Sequence, residues 1–432
     1  MKVFLDSIGC RLNQSEMETL GRQLLAAGHE LVPEATAADR VVLNTCAVTK
    51  EAARDARNKT RRYHRQNGSA EILLTGCYAT IAPEKLALVN GAGRIVPNME
   101  KDNLLQIIDP QADAHIPLYE KEPLLREYLV GQMGHARAFI KVQDGCDHKC
   151  TFCVTTIARG GGQSRHLGDV VAEVQALNKA GYQEAVLSGV HLGSYGQDLD
   201  RPAGLRDLVA AILAHTDIPR LRLSSLEPWD IAPDFFALWE NERLLPHLHL
   251  PLQSGSDRIL RLMARRTRRG AFRDLVAAAR AQITDLNLTT DIITGFPGET
   301  ETDFQQSLDF VREIGFSRLH VFTFSARPGT AAATMTGQLP KQLKKERTAR
   351  MIALGEELGQ AFHQQYEGRT RPVLWEAVSG ADDRGLRWSG YTDNYIRVTG
   401  YGPAGLFNRV TSTRLHIARP EGMDGIPVTE AL

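Results

Sequence analysis

Cysteine is scarce in this chain, with six among 432 residues, far too few for a disulfide-stapled scaffold. No stretch approaches the ~18 consecutive apolar residues of a membrane-spanning helix. The opening MKVFLDSIGC carries Asp6 and lacks the apolar run of a secretory leader. These absences predict a soluble, cytoplasmic protein with no membrane partner. An excess of one charge is missing too, since 51 Lys and Arg balance 51 Asp and Glu; any polyanion would have to be met by a local patch. Internal repeats and low-complexity segments are also absent. What is present is apolar mass, 43% of residues, enough for about three domains at ~150 residues each.

Three short apolar segments, VFLDSI, VVLNT and EILLT, read as buried strands, and each runs directly into a cysteine: Cys10, Cys46 and Cys77. Between them lie helical patterns, Asn13 to Ala27 and the basic Lys50 to Arg65. A strand at Arg94 to Val96 and a helix at Asp102 to Ile108 complete a parallel α/β unit, taken as residues 1–112. Prolines 110, 117 and 123 mark an irregular linker, 113–132.

A second alternating series follows over 133–366. Strands are expected near Phe139–Val142, Ala185–Ser188, Leu221–Ser224, Leu248–Leu250, Thr289–Ile293 and Arg318–Phe322. Helices should start near Gly168, Leu205, Ala232, Ser256 and Thr302, and a long one should run from Lys341 to Tyr366. Six such strands make an incomplete (β/α)6 barrel, with its working end at the carboxyl edge of the strands. The fold class is thus α/β with a small β-barrel tail, 367–432. From Arg369 to Arg419 that tail holds eight arginines against four acids, with Trp375, Trp388, Tyr391, Tyr395 and Tyr401 interleaved. Basic and aromatic residues on a small β module suit nucleic acid, although alternating aromatics are also ordinary strand residues.

The segment QDGCDHKCTFCV places Cys146, Cys150 and Cys153 at C-x3-C-x2-C spacing after the first barrel strand. Soft thiolates select iron-sulfur or zinc. A structural zinc site wants four ligands, and only His148 is at hand as a local fourth. On a four-iron cluster, three cysteines leave one iron open, which is a catalytic arrangement. Cys10, Cys46 and Cys77, taken singly, read as small buried hydrophobes. Their shared place at the carboxyl ends of predicted parallel strands, where α/β proteins put ligands, instead points to a second cluster with an open iron.

CDHKCTFC resembles the signature of radical S-adenosylmethionine enzymes, with Phe152 as the aromatic before the last cysteine. LSGVHLGSYG, LSSLEPWDI, HLPLQSGSDRIL and DIITGFPGET resemble the strand-end motifs of the methylthiotransferase branch. So do IGCRLNQSE, LNTCAVT and LTGCYA, while the tail resembles a TRAM RNA-binding domain. The likeness covers nearly the whole chain and implies two 4Fe-4S clusters plus S-adenosylmethionine. One cluster would hold the cofactor's methionyl amine and carboxylate and cleave it to a 5′-deoxyadenosyl radical, and the other would present sulfur. The motifs look most like the bacterial branch that adds a methylthio group at C2 of threonylcarbamoyladenosine in tRNA, within the anticodon stem-loop. A flavodoxin-type reductant is the implied electron donor.

The resemblance places Ser188 and Gly189 at the cofactor's amino group, and Ser225, Glu227 and Gln253 at its ribose or methionyl moiety. It also puts Gly295, Pro297 and Gly298 in a turn near the adenine. A polar residue ending a strand is otherwise a cap or turn former. VTTIARG stands where the family commonly has I-P-x-x-R-G, which puts in doubt contacts at Thr155 and Thr156. Arg159, Arg265, Arg387 and Arg397 are candidate tRNA contacts, as are the basic runs Lys50–Arg65 and Arg261–Arg269; Arg159 could equally pair with a carboxylate. Two related activities stay open, on isopentenyladenosine in tRNA and on an aspartate of a small-subunit ribosomal protein. Two other classes also stay open: an RNA-binding protein with structural clusters, and a zinc-ribbon-like RNA binder.

Overall fold

The computed structural model describes residues 1–112, 136–200 and 203–428, so the expected linker, 113–132, lies outside the described residues. The chain opens with β1 (Lys2–Ser7), α1 (Arg11–Ala26), β2 (Glu30–Leu31), β3 (Arg40–Thr45), α2 (Lys50–Gln66), β4 (Glu71–Gly76), α3 (Cys77–Ile81), α4 (Pro83–Ala87), β5 (Ile95–Val96) and α5 (Leu104–Ile108). Val41–Thr45 and Ile72–Gly76 are buried throughout, as strands covered on both faces must be. The sheet order is β2-β1-β3-β4-β5, all parallel. Ser7 pairs with Asn44 and Thr45 with Gly76, so three neighbouring strands end in register. Strand order reverses between β1 and β3, the crevice where open α/β sheets bind ligands.

The central unit comprises β6 (Arg137–Lys141), β7 (Gln143–Asp144), α6 (Thr155–Arg159), β8 (Gln163–Ser164), α7 (Leu167–Lys179), β9 (Glu184–Ser188), α8 (Leu205–His215), β10 (Arg220–Leu223), β11 (His247–His249), α9 (Asp257–Leu262), α10 (Arg269–Gln282), β12 (Asn287–Thr294), α11 (Glu301–Ile314), β13 (Arg318–Thr323), α12 (Ala331–Thr334) and α13 (Lys341–Gln364). Parallel triplets β6-β9-β10 and β11-β12-β13 are joined by bridges Leu221–Leu244 and Ser225–His249, giving six parallel strands in sequence order. The helix expected near Ala232 is a 3-10 segment, Pro233–Glu240, where Phe235, Phe236 and Trp239 pack ring against ring. The helix expected from Ser256 stops at Leu262, Ala264 takes a left-handed φ of 54°, and α10, not anticipated, follows.

The barrel is open, and α1 covers the free edge of its first strand. Phe139 N–H donates to Glu18, and Lys141 N–H to Ser15 Oγ at 2.9 Å, satisfying backbone groups that an exposed edge leaves unpaired. The tail, β14 (Thr370–Asp382), β15 (Gly385–Thr392), β16 (Arg397–Gly402), β17 (Val410–Arg419) and β18 (Gly422–Pro427), closes as a five-stranded barrel ordered β14-β15-β16-β18-β17 around Trp375, Val398 and Leu415. Its 391–395 turn docks on the amino-terminal ends of the central strands. Arg220 and Arg222 donate to the Thr392 carbonyl, and Asn287 Nδ2 to the Asn394 carbonyl at 2.7 Å.

Candidate cluster sites and the cleft between them

Cys10, Cys46 and Cys77 follow the carboxyl ends of β1, β3 and β4, and none of the six cysteines is in a disulfide. Gly9 makes the approach possible: at φ 105° it is in the left-handed region, and a Cβ there would lie 2.5 Å from Cys46 Cβ. Burial pushes the Cys46 thiol up to about 12, and nearby Cys10 and Cys77 add to the rise. Cys10 is raised by desolvation, and Cys77 again contributes. The Cys46 and Cys10 thiols are thus both disfavoured as thiolates by burial and by their neighbours in the triad, and a bound cation would favour the thiolate at each. Asn98 Nδ2 lies 3.6 Å from Cys77 Sγ, and Val48 N–H points at Cys46 Sγ at 3.4 Å.

Cys146, Cys150 and Cys153 sit on the loop between β7 and α6, at the carboxyl end of the barrel. Gly145 at φ 66° lets the loop pass the 160–161 backbone, since a Cβ would stand 1.8 Å from the Gly161 carbonyl oxygen. His148 N–H and Thr155 N–H point at Cys146 and Cys153 sulfurs, each at 3.4 Å. Burial pushes Cys146 up to about 11, with Cys153 and Cys150 adding to it.

The chemistry of the donors fits a cluster better than a single zinc. A tetrahedral zinc with Zn–S of about 2.3 Å needs its sulfurs about 3.8 Å apart. Among the described residues, the three-ligand group whose atoms all lie within 4.8 Å is His148, His191 and Asp230, not either cysteine triad. His148 packs its ring on His191 and Trp229 and does not complete a zinc site with the cysteines.

A cleft of about 760 Å³ is lined both by Val48 and Thr49, just beyond Cys46, and by Phe152, Cys153 and Thr155 of the other triad. Phe152 packs against the apolar cluster formed by Ile259, Met263, Phe296, Phe324 and Ala332. Gln253 also lines this cleft, held at φ 70°, a strained conformation of the kind that clusters at functional sites; its N–H donates to the Asp291 carbonyl and its carbonyl accepts from Ile293 N–H. Ser188 is buried with its hydroxyl on the Val186 carbonyl at 3.3 Å. Gly189 packs closely on Gln143, and Ser225 is exposed at its strand end.

Two expected tRNA contacts are engaged inside the protein. The Arg159 side chain is 3% exposed and bonds Glu16 at 2.9 Å, Asp144 at 2.8 Å and Asn13 at 2.8 Å. Burial works against its charge, but Glu16, Cys77, Asp144 and Cys10 hold its pKa well above the ordinary arginine value. Arg265 is likewise buried, forked onto Glu227 at 3.0 and 2.6 Å and stacked on Trp229, and its charge opposes the rise that burial imposes on the Cys150 thiol. Neither guanidinium is free for a phosphate, and Glu227 is committed to Arg265. The Arg261–Arg269 run breaks up accordingly, with Arg269 stacked on Phe310. Arg387 and Arg397 are exposed on β15 and β16, and Arg387 lines a second hollow of about 520 Å³ with Arg384, His416 and Arg419. On α2, burial of Ala56, Thr60 and Tyr63 leaves Arg54, Arg61, Arg62 and Arg65 exposed.

The expectations from sequence missed Arg327 and Lys344, which line the cleft. They lie far from any cysteine in sequence, and only the fold brings them to one cleft, with Arg327 on the Val48 carbonyl just beyond Cys46.

An open parallel barrel carrying C-x3-C-x2-C beyond its first strand defines a radical S-adenosylmethionine enzyme, and residues 140–311 match the Radical SAM superfamily. Residues 2–96 match a family described as Uncharacterized protein family UPF0004. The threonylcarbamoyladenosine tRNA methylthiotransferase MtaB of Bacillus subtilis is 32% identical, over 96% of this chain and 93% of that protein. Its Thermotoga maritima counterpart is 35% identical over 91% and 90%. The tRNA-2-methylthio-N(6)-dimethylallyladenosine synthase of Staphylococcus aureus is 30% identical over 99% and 85%. The chain belongs to the methylthiotransferase family of radical S-adenosylmethionine enzymes, and a 4Fe-4S cluster and S-adenosylmethionine come with that membership. Among solved structures, the radical S-adenosylmethionine methyltransferase TsrM of Kitasatospora setae has TM-score 0.55 at 16% identity, covering 88% of this chain and 79% of that one, a likeness of fold alone. No described helix is long and apolar enough to cross a membrane.

Proposed function

We propose that this chain is a tRNA methylthiotransferase acting at C2 of N6-threonylcarbamoyladenosine next to the anticodon, with two 4Fe-4S clusters and S-adenosylmethionine. The observation that carries the proposal is a single cleft lined by Cys153 of one triad and by Val48 and Thr49, just beyond Cys46 of the other, so that a base held there could be reached from either side. When bound, the cofactors would supply radical hydrogen abstraction and sulfur for insertion at the carbon. Cys146, Cys150 and Cys153 hold one cluster and Cys10, Cys46 and Cys77 the other. Phe152, Ser188, Gly189, Ser225 and Gln253 surround the S-adenosylmethionine. Glu227 acts on that site through Arg265, the cation it holds in a two-pronged ion pair and whose charge bears on Cys150.

The threonylcarbamoyl substrate is favoured by the names of the Bacillus and Thermotoga relatives. In this reading residues 1–112, 133–366 and 367–432 are the working domains. Arg387 and Arg397 of the last meet the anticodon stem-loop, a flavodoxin-type protein supplies electrons, and the work is done in the cytoplasm. Nucleoside mass spectrometry of tRNA from a strain lacking the gene tests the proposal. Methylthio-threonylcarbamoyladenosine should vanish and its unthiolated precursor accumulate; an undiminished methylthio nucleoside rules the assignment out.

A further inference from the structure

The cleft between the triads is lined by five cations and two carboxylates, one of which, Glu51, acts on Arg327. Lys50, Arg327, Lys341, Lys344 and Lys345 line it, against the carboxylates of Glu51 and Asp291. Asp291 is already paired with His249 at 3.3 Å, so the wall is decidedly positive in a molecule whose total charge is zero. Arg327 donates to the Val48 carbonyl at 2.8 Å, and Val48 N–H in turn points at Cys46 Sγ. That places a guanidinium one peptide from the first triad, with donors left over after a single backbone bond. Lys344 lies over the Phe324 ring at 5.0 Å, and burial followed by repulsion from Lys50 holds its pKa below the ordinary lysine value. Partly buried cations that repel one another gain from an anion placed among them.

We propose that Arg327, Lys344 and Lys50 form an anion subsite beside Cys46 that takes an anionic group of the substrate nucleotide. The group is either the carboxylate of the N6-threonylcarbamoyl substituent or the phosphate flanking that nucleoside. Planar guanidinium donors fit the oxygens of either. An anion fixed at this point would hold the base in the cleft between the two triads. The inference rests on the tRNA reading above and adds the residues that grip the nucleotide.

The test is anaerobic binding to the reconstituted holoenzyme by fluorescence anisotropy, using two anticodon stem-loops that differ only in having threonylcarbamoyladenosine or plain adenosine. Arg327→Met and Lys344→Gln should each weaken binding tenfold or more, with Arg327→Lys restoring part of it and iron content unchanged throughout. Loss confined to the threonylcarbamoyl RNA assigns the carboxylate; equal loss on both RNAs assigns the phosphate. Wild-type affinity for both RNAs in both variants overturns the subsite, as does a loss confined to S-adenosylmethionine binding. A wild-type enzyme that binds neither RNA refutes the tRNA reading itself.

Discussion

Arg159 and Glu16 meet across 143 residues of chain in a volume closed to water. Glu16 also takes Lys101 at 2.6 Å, and despite burial its carboxyl is held well below the usual range by Lys101, Arg159 and Lys141. Removing one partner of such a network strands a buried charge, which costs roughly 3–5 kcal/mol. Arg159→Leu should therefore lower the thermal unfolding midpoint markedly, and an unchanged midpoint would show that the network contributes little. Glu18 is the opposite case: burial, little offset by Arg22, pushes its pKa up to about 8. Its folded state thus keeps a proton between the unfolded carboxyl value and about 8, so its contribution to stability falls as pH rises through that window. Glu18→Gln should flatten the slope of melting temperature from pH 5 to 8; an unaltered slope would mean that Glu18 ionises as freely in the fold as outside it. Sequence shows these residues only as polar positions, because their partners lie from 85 to more than 140 residues away along the chain.

At the scale of elements, the strands were legible and the devices that aim them were not. β1, β3 and β4 announce themselves as apolar runs ending in cysteine, and the six barrel strands fall within a few residues of their expected places. The 3-10 segment at Pro233–Glu240 escaped because ring packing decides it, and α10 escaped because a left-handed Ala264 splits one helical pattern in two. Likewise, nothing local reveals that α1 seals the edge of β6. The turn before Cys10 can be tested directly. Gly9→Ala would set a methyl 2.5 Å from Cys46 Cβ, so iron per chain should fall by about half while the radical S-adenosylmethionine cluster still forms. Full iron content in that variant would mean that the β1–Cys10 turn has room the geometry denies.

For the molecule as a whole, three domains converge on one job by covering one another's open sides. The tail barrel plugs the amino-terminal end of the central barrel through residues 391–395, and Tyr395 lies among Arg137, Arg222 and Arg11, the residue after Cys10. The first domain closes the barrel's free edge and brings its own triad to the cleft. The architecture, and the placement of Cys10, Cys46 and Cys77 just beyond strand ends, could be anticipated from spacing and periodicity, since cysteine positions and strand patterns are local facts. Which arginines line the cleft could not, because Arg159 and Arg265 are basic in sequence and buried in space, while Arg327 is unremarkable in sequence and lines it.

The central claim is that the triads share a cleft but not a task, and single-turnover assays under reduction test it most directly. In Cys150→Ala, cleavage of S-adenosylmethionine should be abolished. In Cys46→Ala, cleavage to 5′-deoxyadenosine should persist while no methylthio nucleoside forms on tRNA. Equal loss of cleavage in both variants, with the fold and the remaining cluster intact, would contradict the division.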